Sequence, residues 1–246
     1  MTQAADCGDN TAPTPRPAAT VVLLRNGKKG LETLLLKRNK NLLFAGGFWV
    51  FPGGAIDDGE VDACAGDMDA AAKTAAAREA EEEAGVCPDL DSLVQISHWT
   101  TPEAEPKRFY TWFFAAPCPD NVKVKIDGCE IHDAQWISIT QALQRHEAGE
   151  LGLFPPTYIT LLRLKAFSSV NEALTALAGE QPPSVQPVFT FLDDQVVVML
   201  EGDAGYDSAD AALEGPRHRV RLKDSRWHYE YENACVPPMD GRNIHE

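Results

Sequence analysis

Three glutamates, Glu79, Glu82 and Glu83, follow Arg78 in the stretch AAKTAAAREAEEEAGV (71–86). On a helix, positions i, i+3 and i+4 project from one side, so the three carboxylates share a face. Like charges at that spacing repel one another unless a cation neutralises them. An all-oxygen ligand set suits Mg²⁺ or Mn²⁺ rather than zinc, and Mg²⁺ commonly leaves part of its shell to water and substrate phosphate. Arg78 stands where a planar guanidinium can hold a carboxylate in a fixed bidentate orientation. A solvated acidic helix would show the same composition, and the flanking residues weigh against that reading. FWVF (48–51), Pro52, Gly53 and Gly54 describe a strand that ends in a tight turn just before the acidic stretch. Gly85 occupies the place where a helix C-terminus favours a residue at positive φ.

Taken together these residues resemble the Nudix box, G-x5-E-x7-R-E-U-x-E-E-x-G-U with U apolar. Gly54 and Glu60 match its first half. Arg78, Glu79, Ala80, Glu82, Glu83, Gly85 and Val86 match its second. The spacer departs from the pattern, with 17 residues (61–77) between Glu60 and Arg78, an excess of ten. The Ala-rich run from Asp69 reads as continuous helix, so the extra residues are expected to form a loop around VDACAGDM (61–68). The resemblance to the Nudix hydrolase superfamily implies an α/β/α sandwich with a mixed sheet and hydrolysis of a diphosphate linkage. It implies that Glu79, Glu82 and Glu83 hold Mg²⁺ or Mn²⁺ with help from the Gly54 carbonyl, and that Arg78 orients a glutamate. Glu60 is a candidate partner for Arg78. Glu103, Glu105 and Glu130 are candidates for a general base.

The substrate must be read outside the box. LLLKRNKNLLFAGGFWVFPGG (34–54) resembles the coenzyme A signature of a Nudix subgroup, L-L-T-x-R-(S/A)-x3-R-x3-G-x3-F-P-G-G. Arg38, Gly47, Phe51, Pro52, Gly53 and Gly54 fall in register, while Leu36, Asn39 and Leu43 depart from it. Leu43 replaces an arginine that could meet the 3′-phosphate, and Lys37, Lys40, Lys107 and Arg108 are candidates to supply that charge. The enlarged box and long C-terminal part are similar to the coenzyme A diphosphatase-like Nudix proteins of the peroxisomal type, which also carry an insertion in the box. The expected reaction therefore converts coenzyme A or an acyl-coenzyme A to 3′,5′-ADP and (acyl-)4′-phosphopantetheine. The expected substrate-binding residues are Arg38, Gly47, Phe51, Gly53, Lys107 and Arg108. A pyrophosphatase for ADP-ribose, NADH or another nucleoside diphosphate derivative would use the same box, with Trp49, Trp99, Phe109, Tyr110 or Trp112 against a base. A catalytically silent nucleotide-sensing module is the reading from another class, and the intact pairs Arg78-Glu79 and Glu82-Glu83 argue against it.

The positioning elements can be read around the box. Residues 1–18 are rich in Pro, Ala and small polar residues and read as a disordered tail. The Nudix domain is expected over 19–153, with strands at 19–25, 31–38, 92–100, 108–116 and 134–139 and a helix at 140–149. An α+β extension over 154–246 adds helices at 155–167 and 170–179. It also adds two hairpins, 187–192 with 195–200 and 217–223 with 226–232. It is expected to pack on the core, where it could cap the substrate or build a homodimer contact. The 246 residues suffice for one full core, and a net charge of −15 argues against nucleic acid as partner. Six scattered cysteines without metal-like spacing read as reduced thiols. No apolar run reaches the length of a membrane span and no signal-peptide core is present, so the expected compartment is the cytoplasm.

Overall fold

The computed structural model describes residues 13–40, 46–126 and 128–242. Residues 1–12, which include most of the expected tail, and Leu43 lie outside the described residues.

The first long apolar run forms β1 (Arg16–Gly27), which turns through Lys28 and Lys29 into β2 (Gly30–Arg38). Strand pairing therefore reaches three residues into the segment read as tail, because Arg16 to Leu24 run parallel to Phe109 to Pro117 of β6 (Phe109–Pro117). β1 has two neighbours on its other side. Its C-terminal half pairs with β2, and Ala18 to Thr20 pair with β4 (Gly53–Ala55). The sheet runs β3 (Trp49–Val50), β2, β1, β6, β5 (Val94–Thr100), β8 (Ser184–Val185), with β4 beside β1 and β7 (Ile131–Ser138) beside β2. Parallel and antiparallel pairs coexist in it, as a mixed Nudix-type sheet requires.

Both faces of this sheet are covered, which explains why β1 and β2 read as unbroken apolar runs rather than alternating ones. On one face Val21, Leu23, Leu34 and Leu36 meet α2 (Met68–Ala84) through Ala72, Ala76 and Ala80. Alanine on that stripe lets the helix backbone approach the sheet closely. On the other face Val22, Leu24 and Leu35 meet α3 (Ile139–Glu147), α4 (Pro155–Leu164) and α5 (Val170–Ala178). The extension is thus part of the main core, since α4 and α5 close its second face and β8 adds an edge strand to the sheet.

The spacer is not the expected plain loop. Its first residues, 61–63, close α1 (Asp58–Ala63), a helix started by a capping box in which the Glu60 carboxylate accepts the Asp57 N–H at 2.8 Å. A turn follows with Ala65 and Gly66 at positive φ, and Asp67 caps α2 through the Asp69 and Ala70 N–H groups. Asp and Glu at N-terminal positions favour such a helix start, and that signal was present in IDDGE.

The last third builds a separate four-stranded sheet from β9 (Val188–Leu192), β10 (Gln195–Met199), β11 (Arg217–Lys223) and β12 (Arg226–Glu232). Both of its hairpins turn on two residues at positive φ, Asp193-Asp194 and Asp224-Ser225. His146 locks this sheet to the core. Its Nδ1 meets the Leu151 carbonyl and its Nε2 accepts the Trp227 N–H, both at 2.8 Å, while the Trp227 indole donates to the Leu153 carbonyl.

Candidate active site

The buried stripe of α2 changes chemistry along its length. Ala72 and Ala76 face the sheet, and one to two turns later the same side carries Glu79 and Glu83. There the helix lies against the Gly53-Gly54 segment of β4. The Glu83 carboxylate accepts the Gly53 N–H at 3.0 Å. A methyl group added at Gly54 would stand 2.2 Å from a Glu79 carboxylate oxygen, so only glycine admits the side chain this close. A cleft of about 390 Å³ opens over these residues. Glu79, Glu82, Glu83, Arg38 and Glu130 line it together with Gly53 to Ala55. Its strand side is Arg16, Ala18, Thr20, Lys107, Phe109 and Thr111.

Arg78 organises the acids. Its Nε donates to Glu60 at 2.9 Å, one terminal nitrogen donates to Glu79 at 2.8 Å and Glu82 at 3.3 Å, and the other donates to the Ala55 carbonyl at 3.0 Å. The expected Glu60–Arg78 pair is therefore formed, despite the ten extra residues between them. Burial pushes the Glu60 carboxyl up, but the Arg78 hydrogen bond and the Asp57 N–H outweigh it and hold Glu60 below the usual range. Glu79 ends above that range, because burial exceeds the help from Arg78 and Glu82 adds like charge. Glu83 is only 6% exposed, and its carboxyl is pushed up to about 8. Burial is the main cause, the Gly53 N–H opposes it, and the charge of Glu79 adds to it.

Arg38 is the nearest cation to Glu83, at 3.8 Å, and it also meets Glu130 at 3.2 Å. The register of β2 against β7 slips between Lys37 and Arg38. Such a bulge re-aims a side chain, and here the cleft receives the guanidinium. Arg38 therefore contacts the carboxylates, where the sequence pointed to substrate alone. Glu130 is the general-base candidate that reaches the cleft. Glu103 and Glu105 lie exposed in the loop before β6, outside the residues lining it.

Several expected substrate contacts are placed elsewhere. Phe51 is 3% exposed and belongs to the core with Trp49 and Trp99. Gly47, at φ 83°, closes a turn by donating to the Arg38 carbonyl at 3.0 Å. Arg108 is buried and donates to the Thr101 and Pro13 carbonyls. Strand alternation sends Phe109 and Thr111 to the cleft side, and Lys107, in the loop just before β6, lines the cleft as well, whereas Arg108 does not. Trp112 is buried and donates to Asp69, and Tyr110 stacks on His98. Arg16 and Thr20 also line the cleft, without a motif in the sequence that marks them. Arg16 lay in the segment read as tail, and its only sequence signal was a cation next to an apolar run.

Among the described residues no three carboxylate, imidazole or thiol groups are already gathered at metal-binding distance. The donor set nevertheless suits a hard divalent ion. Two neighbouring carboxylates, Glu79 and Glu83, are largely withdrawn from water, with Glu82 on the same helical face and backbone carbonyls of β4 alongside. Buried like charges of this kind call for a cation or a proton.

A NUDIX domain model matches residues 14–155. "Putative nudix hydrolase 7" of Caenorhabditis elegans is 26% identical over 226 residues, covering 78% of this chain and 74% of that protein. "Acyl-coenzyme A diphosphatase NUDT19" of Xenopus laevis is 27% identical over 140 residues, covering 54% of this chain and 37% of that protein. The chain thus spans little more than a third of the latter's length. The crystal structure of a NUDIX hydrolase from Alicyclobacillus acidocaldarius superposes with a TM-score of 0.61 at 27% identity, covering 66% of this chain and 96% of that one. Since the matched domain takes up more than half of the sequence and carries the box on which the cleft is built, the chain belongs to the Nudix hydrolases.

Proposed function

We propose that this Nudix hydrolase cleaves the diphosphate bond of coenzyme A or an acyl-coenzyme A, releasing 3′,5′-ADP and (acyl-)4′-phosphopantetheine, with Mg²⁺ or Mn²⁺ as cofactor. The observation that carries the reaction class is the pair Glu79 and Glu83, buried against Gly53 and Gly54 at the wall of an open cleft. The substrate reading is supported by the in-register segment around Arg38 and Gly47 to Gly54, and by the similarity to a protein named as an acyl-coenzyme A diphosphatase.

In this reading Glu79, Glu82 and Glu83, with the Gly54 carbonyl, hold the cation. The ion would neutralise charge gathering on the diphosphate oxygens and acidify water. The protein's own groups do the rest. Arg78 fixes the directions of Glu79 and Glu82, and Glu60 fixes Arg78. The Gly53 N–H fixes Glu83. Glu130 faces the glutamates through Arg38, and this reading assigns it as the base that takes a proton from the attacking water. The six cysteines show no paired or metal-like spacing in the sequence, which supports a reduced compartment such as the cytoplasm. Among the described residues no helix is long and apolar enough to cross a membrane.

The test is a substrate panel with Mg²⁺ and Mn²⁺, products identified by mass. Coenzyme A species should yield 3′,5′-ADP. Turnover of ADP-ribose or NADH with no cleavage of any coenzyme A species would replace this reading.

A further inference from the structure

The cleft has two chemically opposite sides, and the strand side has no part in the chemistry proposed above. The register of β1 sets them apart. Ala18 lies between Ala55 of β4 and Thr111 of β6, and Arg16 lies beside Phe109. Two strand spacings, roughly 10 Å, therefore separate the glycine segment under the glutamates from the strand carrying Phe109. Just before that strand the Lys107 ammonium lies over the Phe109 ring, 5.2 Å from its centre, and Arg16 is the residue across from Phe109. This cation–π contact holds the exposed lysine beside the cleft that it lines. Arg16 has a weak partner in Asp57, 3.8 Å away with both side chains more than 60% exposed, and such a pair yields readily to a better anion. In a chain of net charge −15, two cations facing a cluster of glutamates across one cleft form a polarity that an anionic ligand would read.

We propose that Arg16 and Lys107, with Phe109 positioning the lysine, form a subsite for a phosphomonoester remote from the scissile diphosphate, as on the ribose of a 3′-phosphorylated nucleotide. The proposal rests on the diphosphatase reading and deepens it. In that reading the cation-loaded glutamate side is taken up by the scissile diphosphate, so a second phosphate settles at the opposite side, where two donors can meet it. The cation removed by Leu43 is thereby supplied from β1 and the start of β6, and the enzyme distinguishes coenzyme A from its dephospho form.

The experiment compares kcat/KM for coenzyme A and dephospho-coenzyme A in the wild type and the Arg16→Ala/Lys107→Gln double variant. In parallel it measures direct binding of 3′,5′-ADP and AMP. The wild type should prefer coenzyme A by roughly tenfold or more, the worth of a charged phosphate contact. The double variant should narrow that preference to less than about threefold, whereas a general structural defect would depress both substrates together. Equal wild-type rates on the two substrates, or a preference that survives the double substitution, overturns the subsite. If no coenzyme A species is cleaved yet 3′,5′-ADP outbinds AMP and loses that advantage in the double variant, the subsite stands and the substrate reading fails. Equal binding of the two nucleotides overturns the subsite as well.

Discussion

Two buried carboxylates in this molecule sit near arginines and behave in opposite ways. Asp203, in the C-terminal part, receives two hydrogen bonds from Arg219, at 2.7 and 2.6 Å, and one each from the His218 and Gly205 N–H groups. Burial alone would raise its pKa, but these donors outweigh burial and hold it below the usual range. Glu83, in the cleft, receives one backbone N–H, Arg38 stands 3.8 Å away, and its carboxyl rises to about 8. The first charge is matched by the protein itself and serves the fold. The second is left short of positive charge beside a second glutamate, and a fold-only sequence would have no use for it. In the proposed reading, the difference separates a structural ion pair from a site built to receive a cation.

The comparison breaks most severely at the satisfied pair. Arg219→Ala strands the Asp203 charge in a fully buried position, and stability should fall by about 3–5 kcal/mol. Chemical denaturation measures this, and turnover per folded molecule should stay near wild type because neither residue lines the cleft and Arg219 belongs to the other sheet. The converse substitution, Glu83→Gln, should cost at least about 10²-fold in kcat, the scale of losing one strong electrostatic stabiliser. Its metal-free stability should hold or rise, since a buried like-charge repulsion is relieved.

The pH dependences should have opposite signs. Glu83 has a folded pKa near 8, above its unfolded value near 4.3. Its protonated form thus favours the fold fully at low pH, and that contribution is lost as pH rises through about 8. Asp203 has a depressed folded pKa, so its contribution is present at neutral pH and lost as the solution becomes strongly acidic. Thermal unfolding of the metal-free protein should therefore show Tm falling between about pH 5 and pH 8, and Glu83→Gln should flatten that fall. A smaller effect is expected one step from the carboxylates. Glu60→Ala frees Arg78 and loosens Glu79 and Glu82, and kcat should drop about tenfold, the lower end for residues that support metal ligands. No change in kcat would show that Arg78 needs no anchor.

The sequence disclosed the parts of this site that depend on spacing along one element. Glu79, Glu82 and Glu83 on a helical face, Gly85 as its stop at φ 67°, and the glycine turn before it are local patterns. Both C-terminal hairpins were likewise legible from their alternation and turn residues. What stayed hidden depends on register between strands. The bulge that turns Arg38 toward Glu83, the burial of Phe51, the turning away of Arg108 and the arrival of Arg16 at the cleft all follow from which residue faces which across β1, β2 and β6. A one-residue shift reverses every such assignment, and a single sequence contains no measure of it. The helix in the spacer was missed for a different reason. Its capping box in IDDGE is a local pattern, whereas a ten-residue excess over the family pattern has no shape of its own.

The most direct test of the account is Mn²⁺ binding to the apo protein, followed by electron paramagnetic resonance, in the wild type, Glu83→Gln and Asp203→Asn. The wild type should bind Mn²⁺ in the cleft, Glu83→Gln should weaken this binding by at least about tenfold, and folded Asp203→Asn should bind as the wild type does. Equal Mn²⁺ affinity in the wild type and Glu83→Gln would contradict this, because the under-compensated carboxylate would then have no cation to receive.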